Sequence, residues 1–237
     1  MGNTNSQTQN RILGALPPDD YQRLQPHLEP VGLDHGVVLY ERGGTIKQLY
    51  FPFYAMVSLV TEMNDGKIVE VGLVGNDGMT GIAAVLGEKV SSERAIVQIP
   101  DGGVRIKLEV ILEEFRRGGA LHDILLRYAV ALTRQVGQTA ACNASHTTEE
   151  RLSRWLLMCH DRVEGSEIRL TQEFIAEMLG TRRATVSVSA ITLQSAGLIK
   201  YNRGNITITD RAGLESFSCE CYAAVGAPNS KPKKNSH

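Results

Sequence analysis

Four basic residues and no acidic residue lie between Met178 and Thr209, and the four are Arg182, Arg183, Lys200 and Arg203. The whole chain carries 25 lysines and arginines against 26 aspartates and glutamates, so this local excess of positive charge does not follow from composition. A basic face on a nearly neutral protein is typical of a surface that contacts phosphate groups. Two adjacent arginines at a helix start oppose the helix dipole, which favours an anionic partner over a merely solvated surface.

The elements that must position these residues are two helices joined by a glycine turn. In the first helix, Thr171 is a good N-cap and Glu173 lies in the first turn, where the helix dipole favours an acid. Gly180 supplies the backbone freedom of a tight turn, and Thr181 is expected to cap the second helix. That helix should end before Gly197, and its buried stripe is predicted at Val186, Ala190 and Leu193.

A short hairpin follows the second helix. Residues 198–201 and 205–209 read as two strands, and the turn between them contains Gly204, which can adopt the left-handed conformation. A helix-turn-helix with such a hairpin is a winged helix. The common use of this arrangement is to place the second helix in the major groove of DNA.

Residues 151–215 resemble the DNA-binding domain of the Crp/Fnr family of bacterial transcription regulators, and residues 149–157 resemble the helix that opens this domain. In the family, the recognition helix reads bases through an arginine, an acid and a second arginine. Arg183 matches the first arginine, and Thr185 matches a threonine that holds a phosphate. The resemblance implies double-stranded DNA as a partner, a homodimer that reads a two-fold symmetric operator, and RNA polymerase as a further candidate partner.

Two positions of the recognition helix depart from the family pattern. Ala184 stands where the acid is usual, and Val188 stands where the second arginine is usual. Arginine commonly pairs with guanine, whereas valine can contact at most a thymine methyl, so the operator should differ from the family's commonest one. The residues predicted to contact DNA are Thr171, Arg182, Arg183, Thr185, Ser187, Val188, Lys200 and Arg203.

The N-terminal half is rich in short β-strands separated by Gly, Asn and Asp turns. Strands are predicted at residues 37–40, 48–51, 55–60, 68–74, 95–98 and 104–106, which indicates a small barrel or sandwich. By resemblance, this half is the cyclic-nucleotide-binding-like domain of the family. The expected fold class is α+β, with an N-terminal β jelly roll, a long dimerisation helix and a C-terminal winged helix-turn-helix.

The glycine-rich segment 75–87 corresponds to the place where nucleotide-binding members of the family hold ribose and phosphate. The candidate effector-binding residues are Gly78, Gly81 and Arg94, because backbone N–H groups at a helix start bind anions. No glutamate follows either glycine, and an alignment shifted by one residue puts Glu93 in place of Arg94. A glycine-rich turn that closes the barrel is favoured over a nucleotide site, so cyclic AMP is not expected and the effector is unknown or absent.

Residues 119–143 are predicted to form one long helix with an apolar stripe. By resemblance this is the dimerisation helix, since a helix-turn-helix dimer reads two half-sites, and residues 143–148 are the hinge to the DNA-binding domain. The alternative is an ordinary helix packed on the barrel. The stripe predicted for the dimer contact is Leu121, Leu125, Tyr128, Leu132 and Val136.

No metal or cofactor site is predicted from the cysteines and histidines. Cys219 and Cys221 are the only close cysteine pair in the sequence, and none of the six histidines stands at ligand spacing. A single C-x-C pair of this kind is a weak indication of a metal site. Oxygen-sensing relatives hold an iron–sulfur cluster on N-terminal cysteines, whereas the first cysteine here is Cys142. A haem is not expected either. No catalytic pair or triad stands at informative spacing, so the chain is not expected to be an enzyme.

The length and composition fit a two-domain globular protein. The 237 residues are 42% hydrophobic and 22% charged, without an apolar run that could span a membrane or serve as a signal peptide, so a cytoplasmic location is expected. The competing prediction is a ligand-sensing or protein-interaction module that does not bind DNA specifically. The expected ranges are 1–20 for a polar tail, 21–118 for the sensor domain, 119–147 for the dimerisation helix and hinge, 148–222 for the DNA-binding domain and 223–237 for a basic tail.

Overall fold

The computed structural model describes residues 9–165 and 167–226. Internal contacts divide the chain into two compact units, with the boundary between Val136 and Gly137. Residues 1–8 of the expected N-terminal tail and residues 227–237 of the expected C-terminal tail lie outside the described residues. In the part of the chain that is described, no helix is both long and apolar enough to cross a bilayer.

A three-stranded and a four-stranded antiparallel sheet form the β-structure of the first unit. The strands are β1 Glu29–Leu33, β2 Val38–Tyr40, β3 Gln48–Pro52, β4 Met56–Glu62, β5 Ile68–Val74, β6 Arg94–Ile99 and β7 Asp101–Lys107. Their order is β1-β7-β3 in one sheet and β2-β6-β4-β5 in the other. The buried core draws on both sheets, with Leu49 and Phe51 from the first and Val57 and Val97 from the second. This architecture confirms the predicted α+β class.

Strand β1 is absent from the sequence prediction. Pro30 lacks an N–H to donate to a ladder, and Gly32 offers no side chain to pack, so the segment does not read as a strand. β1 pairs with β7 at the edge of its sheet, where a proline is tolerated.

The segment before β1 is helical and packed, which corrects the expectation of a polar tail for residues 9–20. Helices α1 (Arg11–Gly14) and α2 (Pro18–Leu24) lie here, and Ile12, Leu13 and Leu16 are buried in the core of the first unit. The buried Asn10 side chain caps α1 by accepting from the Ile12 and Leu13 N–H groups. Its amide nitrogen donates to the carbonyl oxygens of Pro52 and Gly78, both at 2.9 Å.

Three further helices are α3 (Ile82–Val85), α4 (Leu108–Arg117) and α5 (Ala120–Ser145). α5 is the predicted long helix, and it continues through Ser145 into the segment that was expected to be a hinge.

Gln135 of α5 pairs with both backbone groups of Leu73 on β5. The Leu73 N–H donates to Gln135 Oε1 at 2.6 Å, and Gln135 Nε2 donates to the Leu73 carbonyl at 3.2 Å.

The second unit contains the predicted winged helix. Its elements are α6 Thr148–His160, β8 Glu167–Arg169, α7 Gln172–Met178, α8 Arg183–Ser195, β9 Ile199–Asn202, β10 Asn205–Ile208, α9 Arg211–Phe217 and α10 Cys221–Val225. The helices α7 and α8 form the helix-turn-helix, and β10 pairs antiparallel with β9 in the wing and with β8 on its other side. Helix α6 begins with a capping box between Thr147 and Glu150, and its residues 151–159 are all buried.

A hydrogen-bonded network ties α9 and α10 to the end of α6. The Arg211 guanidinium donates to Asp161 Oδ1 and to the Tyr222 hydroxyl, both at 2.7 Å, and the hydroxyl donates to Asp161 Oδ2 at 2.8 Å. His160 Nδ1 lies 2.7 Å from Arg211 Nη1, so the neutral imidazole accepts there. Protonation at Nδ1 would remove that acceptor and bring two cations together.

We expect the free energy of unfolding to fall as the pH drops below 6.5, the ordinary pKa of histidine. Burial, and then the positive charge of Arg211, lowers the pKa of His160 in the folded chain. The unfolded chain therefore binds this proton at a higher pH than the folded chain, and stability is lost as the pH falls from 6.5 towards the folded pKa. Urea titrations at several pH values, followed by the fluorescence of Trp155, the single tryptophan, measure how the free energy of unfolding changes with pH. His160→Gln should reduce this pH dependence. An equal pH dependence in both proteins would show that His160 is not its source.

Candidate nucleic-acid interface

The recognition helix α8 starts one residue later than expected. Its N-cap is Arg182, with an extended backbone at φ −85° and ψ 144°, and Thr181 is not the cap. The reason is that the Thr181 N–H bonds the carbonyl of Ala176 at 2.9 Å and so completes the end of α7. Among the described residues, no side chain caps the first turn of α8, and this turn contains no acid. Its backbone N–H groups therefore offer a site for an anion.

The two faces of α8 differ as the sequence predicts. Val186, Ala190 and Leu193 are buried, and Gly197 follows the helix with a left-handed φ of 74°. On the opposite face, Val188 is 61% exposed and Ile191 is 64% exposed. They are three positions apart in the helix, so they lie side by side as an apolar strip on its exposed surface.

A cleft of about 330 Å³ lies between α8 and the wing. It brings together three of the residues predicted to contact DNA, namely Thr171, Arg183 and Arg203. Thr171 holds its predicted position as the N-cap of α7 and accepts from the Phe174 N–H at 3.2 Å. The other residues that line the cleft are Gln172, Glu173, Tyr201 and Gly204, and the sequence prediction of DNA contacts includes none of them.

Arg183 is paired across this cleft. Its Nη1 lies 2.9 Å from Glu173 Oε1, and both side chains are more than half exposed. Ser187 donates to Gln172 Oε1 at 2.5 Å, so the predicted contact at Ser187 is joined to a glutamine of α7. The first turn of α7 is thus linked to the first two turns of α8 by two side-chain contacts, and no pattern within either helix alone reveals this link.

The wing places the remaining basic residues. Arg203 and Gly204 both have positive φ, 48° and 84°, as a two-residue type I′ turn requires. Arg203 is exposed in this turn, and Lys200 is exposed on β9. Arg182 is exposed, and Thr185 is half-buried in the first turn of α8.

Buried polar contacts fix the orientation of α8 within the second unit. The Arg151 guanidinium donates to the carbonyl of Leu179 at the end of α7, and Ser189 on α8 donates to Glu149 Oε1 at 2.8 Å. Burial lowers the pKa of Arg151, although an arginine remains charged. The last carbonyl groups of a helix have no N–H partner within the helix, and the charged Arg151 guanidinium supplies a donor for one of them at the end of α7.

The candidate effector residues are occupied by contacts within the chain. A Cβ on Gly78 would lie 2.6 Å from the Tyr128 ring, and Gly81 has a φ of 77° with Leu49 packed against it. Arg94 pairs with Glu41, with 3.0 Å between Nε and Oε2. The structure therefore assigns packing and pairing contacts to all three residues.

The stripe predicted for the dimer contact packs mostly within the first unit. Leu121 and Leu125 are buried in the core, and the Tyr128 hydroxyl donates to the Met79 carbonyl at 2.8 Å. Leu132 and Val136 are half-buried and would lie 3.5 Å from a Cβ on Gly72. The exposed large apolar residues of α5 are Leu126 and Val130.

Four metal-ligating side chains, which the sequence prediction does not connect, lie together in the second unit. They are Cys142, His146, Cys219 and Cys221. The spacing of Cys142 and His146, four residues apart on one helix face, is the sequence signal that could have identified them. Burial raises the pKa of Cys142, and burial also raises the pKa of Cys219 to about 12. Both side chains are therefore neutral thiols in the metal-free chain.

Comparison with known proteins finds a match for the helix-turn-helix region. Residues 150–217 match the model of the Crp-like helix-turn-helix domain. The CRP-like cAMP-activated global transcriptional regulator of Mycobacterium tuberculosis is 23% identical over 212 residues, which cover 86% of this chain and 94% of that protein.

Solved structures share the fold at low identity. FixK2 from Bradyrhizobium japonicum has a TM-score of 0.70 at 15% identity, covering 81% of this chain and 98% of its own. The c-di-GMP responsive global regulator CLP from Xanthomonas campestris has a TM-score of 0.62 at 18% identity, covering 81% of this chain and 99% of its own. The winged helix and the β-domain thus occur together in these proteins.

Proposed function

We propose that the chain, which has a Crp-like helix-turn-helix domain and the fold of Crp/Fnr regulators, is a DNA-binding transcription regulator of the Crp/Fnr type that reads a two-fold symmetric operator as a homodimer. The observation that carries this proposal is the cleft beside α8, because it gathers Thr171, Arg183 and Arg203 from three separate segments. A regulator of this kind acts in the cytoplasm and catalyses no reaction, and both properties belong to the proposal.

The charges around the cleft suit the DNA backbone. Among the described residues, Arg182, Lys200 and Arg203 form no ion pair, so their charges are available to phosphates. The uncapped first turn of α8 adds backbone N–H donors and the positive end of a helix dipole. Phosphate contacts of this kind position a protein on DNA, whereas base contacts determine sequence preference.

Base reading is proposed for Arg183 and for the apolar strip of Val188 and Ile191. Arginine pairs with the O6 and N7 atoms of guanine, and branched apolar side chains contact the methyl group of thymine. An exposed apolar strip on the helix that faces the groove is therefore suited to thymines. We expect each half-site to contain a guanine next to a thymine-rich stretch.

The proposed dimer contact uses the exposed face of α5. Leu126 and Val130 lie one helical turn apart on this face, whereas Leu121 and Leu125 are already covered by the core. A second copy of α5 packed on Leu126 and Val130 would remove both side chains from water. A second copy is chosen as the occupant because a two-fold symmetric operator requires two recognition helices.

The β-domain is proposed not to respond to cyclic AMP, although the mycobacterial relative is named as cAMP-activated. The Tyr128 ring fills the space next to Gly78, the Gly78 carbonyl accepts from Asn10, and Arg94 is paired with Glu41. A nucleotide would have to displace these contacts. The proposal is a regulator that binds its operator without cyclic AMP.

Selection from a random pool of duplex DNA by the purified protein, with no ligand added, tests this function. Enrichment of a two-fold symmetric site with guanine and thymine in each half-site is the expected result. Repetition with cyclic AMP should leave the enriched site and its affinity unchanged. Absence of binding at low salt, with or without cyclic AMP, would reject DNA recognition and leave a protein-interaction module.

Replacing Glu173 by glutamine should raise the affinity for the selected operator by about twofold to fivefold. The substitution removes an acid from the DNA-facing cleft and frees Arg183 from its 2.9 Å pair. Fluorescence anisotropy with labelled operator at two salt concentrations measures the effect, which should shrink at the higher salt. Glu113→Gln is the matched control, because Glu113 forms a similar exposed pair with Arg117 in the first unit. A weaker operator complex for Glu173→Gln would contradict the prediction.

A further inference from the structure

Cys142, His146, Cys219 and Cys221 form a compact cluster of donor atoms in the second unit. Each contributes one ligand atom, and these atoms all lie within 4.8 Å of one another. Three of the four are thiols, and the fourth is an imidazole. Three cysteines and one histidine form one of the common ligand sets of structural zinc sites.

The distances within the cluster fit a tetrahedral ion. The sulfurs of Cys142 and Cys219 are 3.5 Å apart, and the Cys221 sulfur lies 3.5 Å from His146 Nδ1. With Zn–S bonds of about 2.3 Å and Zn–N bonds of about 2.0 Å, tetrahedral geometry puts two sulfurs about 3.8 Å apart and a sulfur and a nitrogen about 3.5 Å apart. These two distances therefore lie within a few tenths of an ångström of the tetrahedral values, and the remaining donor pairs are no more than 4.8 Å apart.

The second nitrogen of the imidazole has the partner that a metal-binding histidine usually has. Nδ1 of His146 faces the thiols, and Nε2 lies 3.3 Å from Glu220 Oε1. Metal-ligating histidines commonly donate their other N–H to a carboxylate, which fixes the tautomer and the ring orientation. Gln138 Nε2 donates to the Cys221 sulfur at 3.0 Å, a contact that stabilises negative charge on that sulfur.

A buried positive charge lies beside the cluster. Arg154 is 2% exposed, and its positive charge acts on the Cys142 thiol. Among the described residues it makes no ion pair. Its Nη1 donates to Thr139 Oγ1 and Met158 Sδ, and its Nε is buried without a hydrogen-bond partner. A buried cation is costly without a counter-charge, and a dication bound by three thiolates and a neutral imidazole carries one negative charge.

The local structure explains why the four donors meet. The His146 N–H donates to the Cys142 carbonyl at 3.1 Å, so Cys142 in the last turn of α5 and His146 directly after the helix present their side chains on one face. Cys219 and Cys221 flank the N-cap of α10, and their side chains are buried together with Cys142 as a cluster of their own. The three thiols are thus buried as a small separate cluster and are not part of a larger apolar core.

We propose that these four side chains bind one Zn²⁺ ion in a closed, tetrahedral Cys3His site with a structural role. Binding converts three thiols into thiolates, and the three protons go to solvent. All four coordination positions are then filled by the protein, so the site has no open position for substrate or water. The ion fastens the start of α10 to the last turn of α5, within the same unit as the recognition helix.

The test uses the full-length protein purified under reducing conditions without chelator. One zinc per chain, measured by inductively coupled plasma mass spectrometry, is the expected content. Replacement of zinc by Co²⁺ should give the visible bands of a tetrahedral ion and near-ultraviolet thiolate-to-cobalt charge transfer. Cys142→Ala and Cys221→Ala should abolish both signals. Cys159→Ala is the matched control, because Cys159 is equally buried but lies outside the cluster, and it should retain both.

His146→Cys separates ligation from folding. This variant should still bind Co²⁺, and its charge-transfer absorption should increase because four thiolates replace three. Wild-type protein that contains no zinc and gives no cobalt bands after full reduction would overturn the proposal. Isolation with a Cys142–Cys219 disulfide and no metal uptake after reduction would do the same and would favour a redox pair. Unchanged metal binding in both Cys142→Ala and Cys221→Ala would also overturn it.

Discussion

Replacing Arg183 by alanine is expected to weaken binding to the selected operator by about 1–3 kcal/mol per half-site. Arg183 lies in the first turn of α8 and lines the cleft with Thr171 and Arg203. Its pair with Glu173 is exposed on both sides, so its loss should change the stability of the chain very little. The loss of affinity therefore reports a lost DNA contact rather than unfolding. Anisotropy titrations with specific and scrambled duplexes measure it.

The comparison of the two duplexes identifies the kind of contact. A larger loss on the operator than on scrambled DNA is expected for an arginine that reads guanine. An equal loss on both would show that Arg183 holds only phosphates, and no loss would remove it from the interface. Arg117→Ala is the control, since Arg117 is a similarly exposed arginine that pairs with Glu113 and Glu114 in the first unit.

Replacing Gly81 by alanine is expected to lower the free energy of unfolding by about 2–5 kcal/mol with no ligand present. Gly81 has a φ of 77°, and a Cβ there would lie 2.7 Å from a methyl carbon of Leu49. Part of the loss comes from a left-handed residue with a side chain, and part from overpacking against the fully buried Leu49. Urea denaturation followed by circular dichroism measures the change.

Gly36→Ala isolates the backbone contribution. Gly36 has nearly the same φ, 80°, but a Cβ there would meet no atom within 4 Å. The difference between the two variants is the packing cost at Gly81. If both lose the same stability, Gly81 is not needed for packing, and an effector-binding role for it regains support.

The winged helix was predictable because its signals are local. The Thr171 N-cap, the buried stripe of Val186, Ala190 and Leu193, and the left-handed Gly197 are each decided by residues within one or two helical turns. The edge strand β1 was not predicted because Pro30 and Gly32 interrupt its strand pattern, and its pairing partner β7 lies far along the chain.

Contacts between distant segments were not predictable. Periodicity shows that α5 has an apolar face, but it does not show what covers that face. Leu121 and Leu125 are covered by the core of their own unit, whereas Leu126 and Val130 are exposed. The cysteine and histidine cluster likewise depends on how α5 and α10 pack. This packing brings Cys142 and His146 close to Cys219 and Cys221. The pairing of Arg183 with Glu173 likewise depends on how α7 and α8 pack.

The pairing of Gln135 with Leu73 has a consequence for self-association. β5 is the last strand of its four-stranded sheet, so one side of it presents unpaired backbone groups to any extended peptide. The side-chain amide of Gln135 has the same donor and acceptor as a peptide group, and it occupies the N–H and carbonyl of Leu73. An incoming strand finds the ladder position at Leu73, near the end of β5, already filled. At this point α5 protects the sheet against strand addition, the first step towards fibril formation.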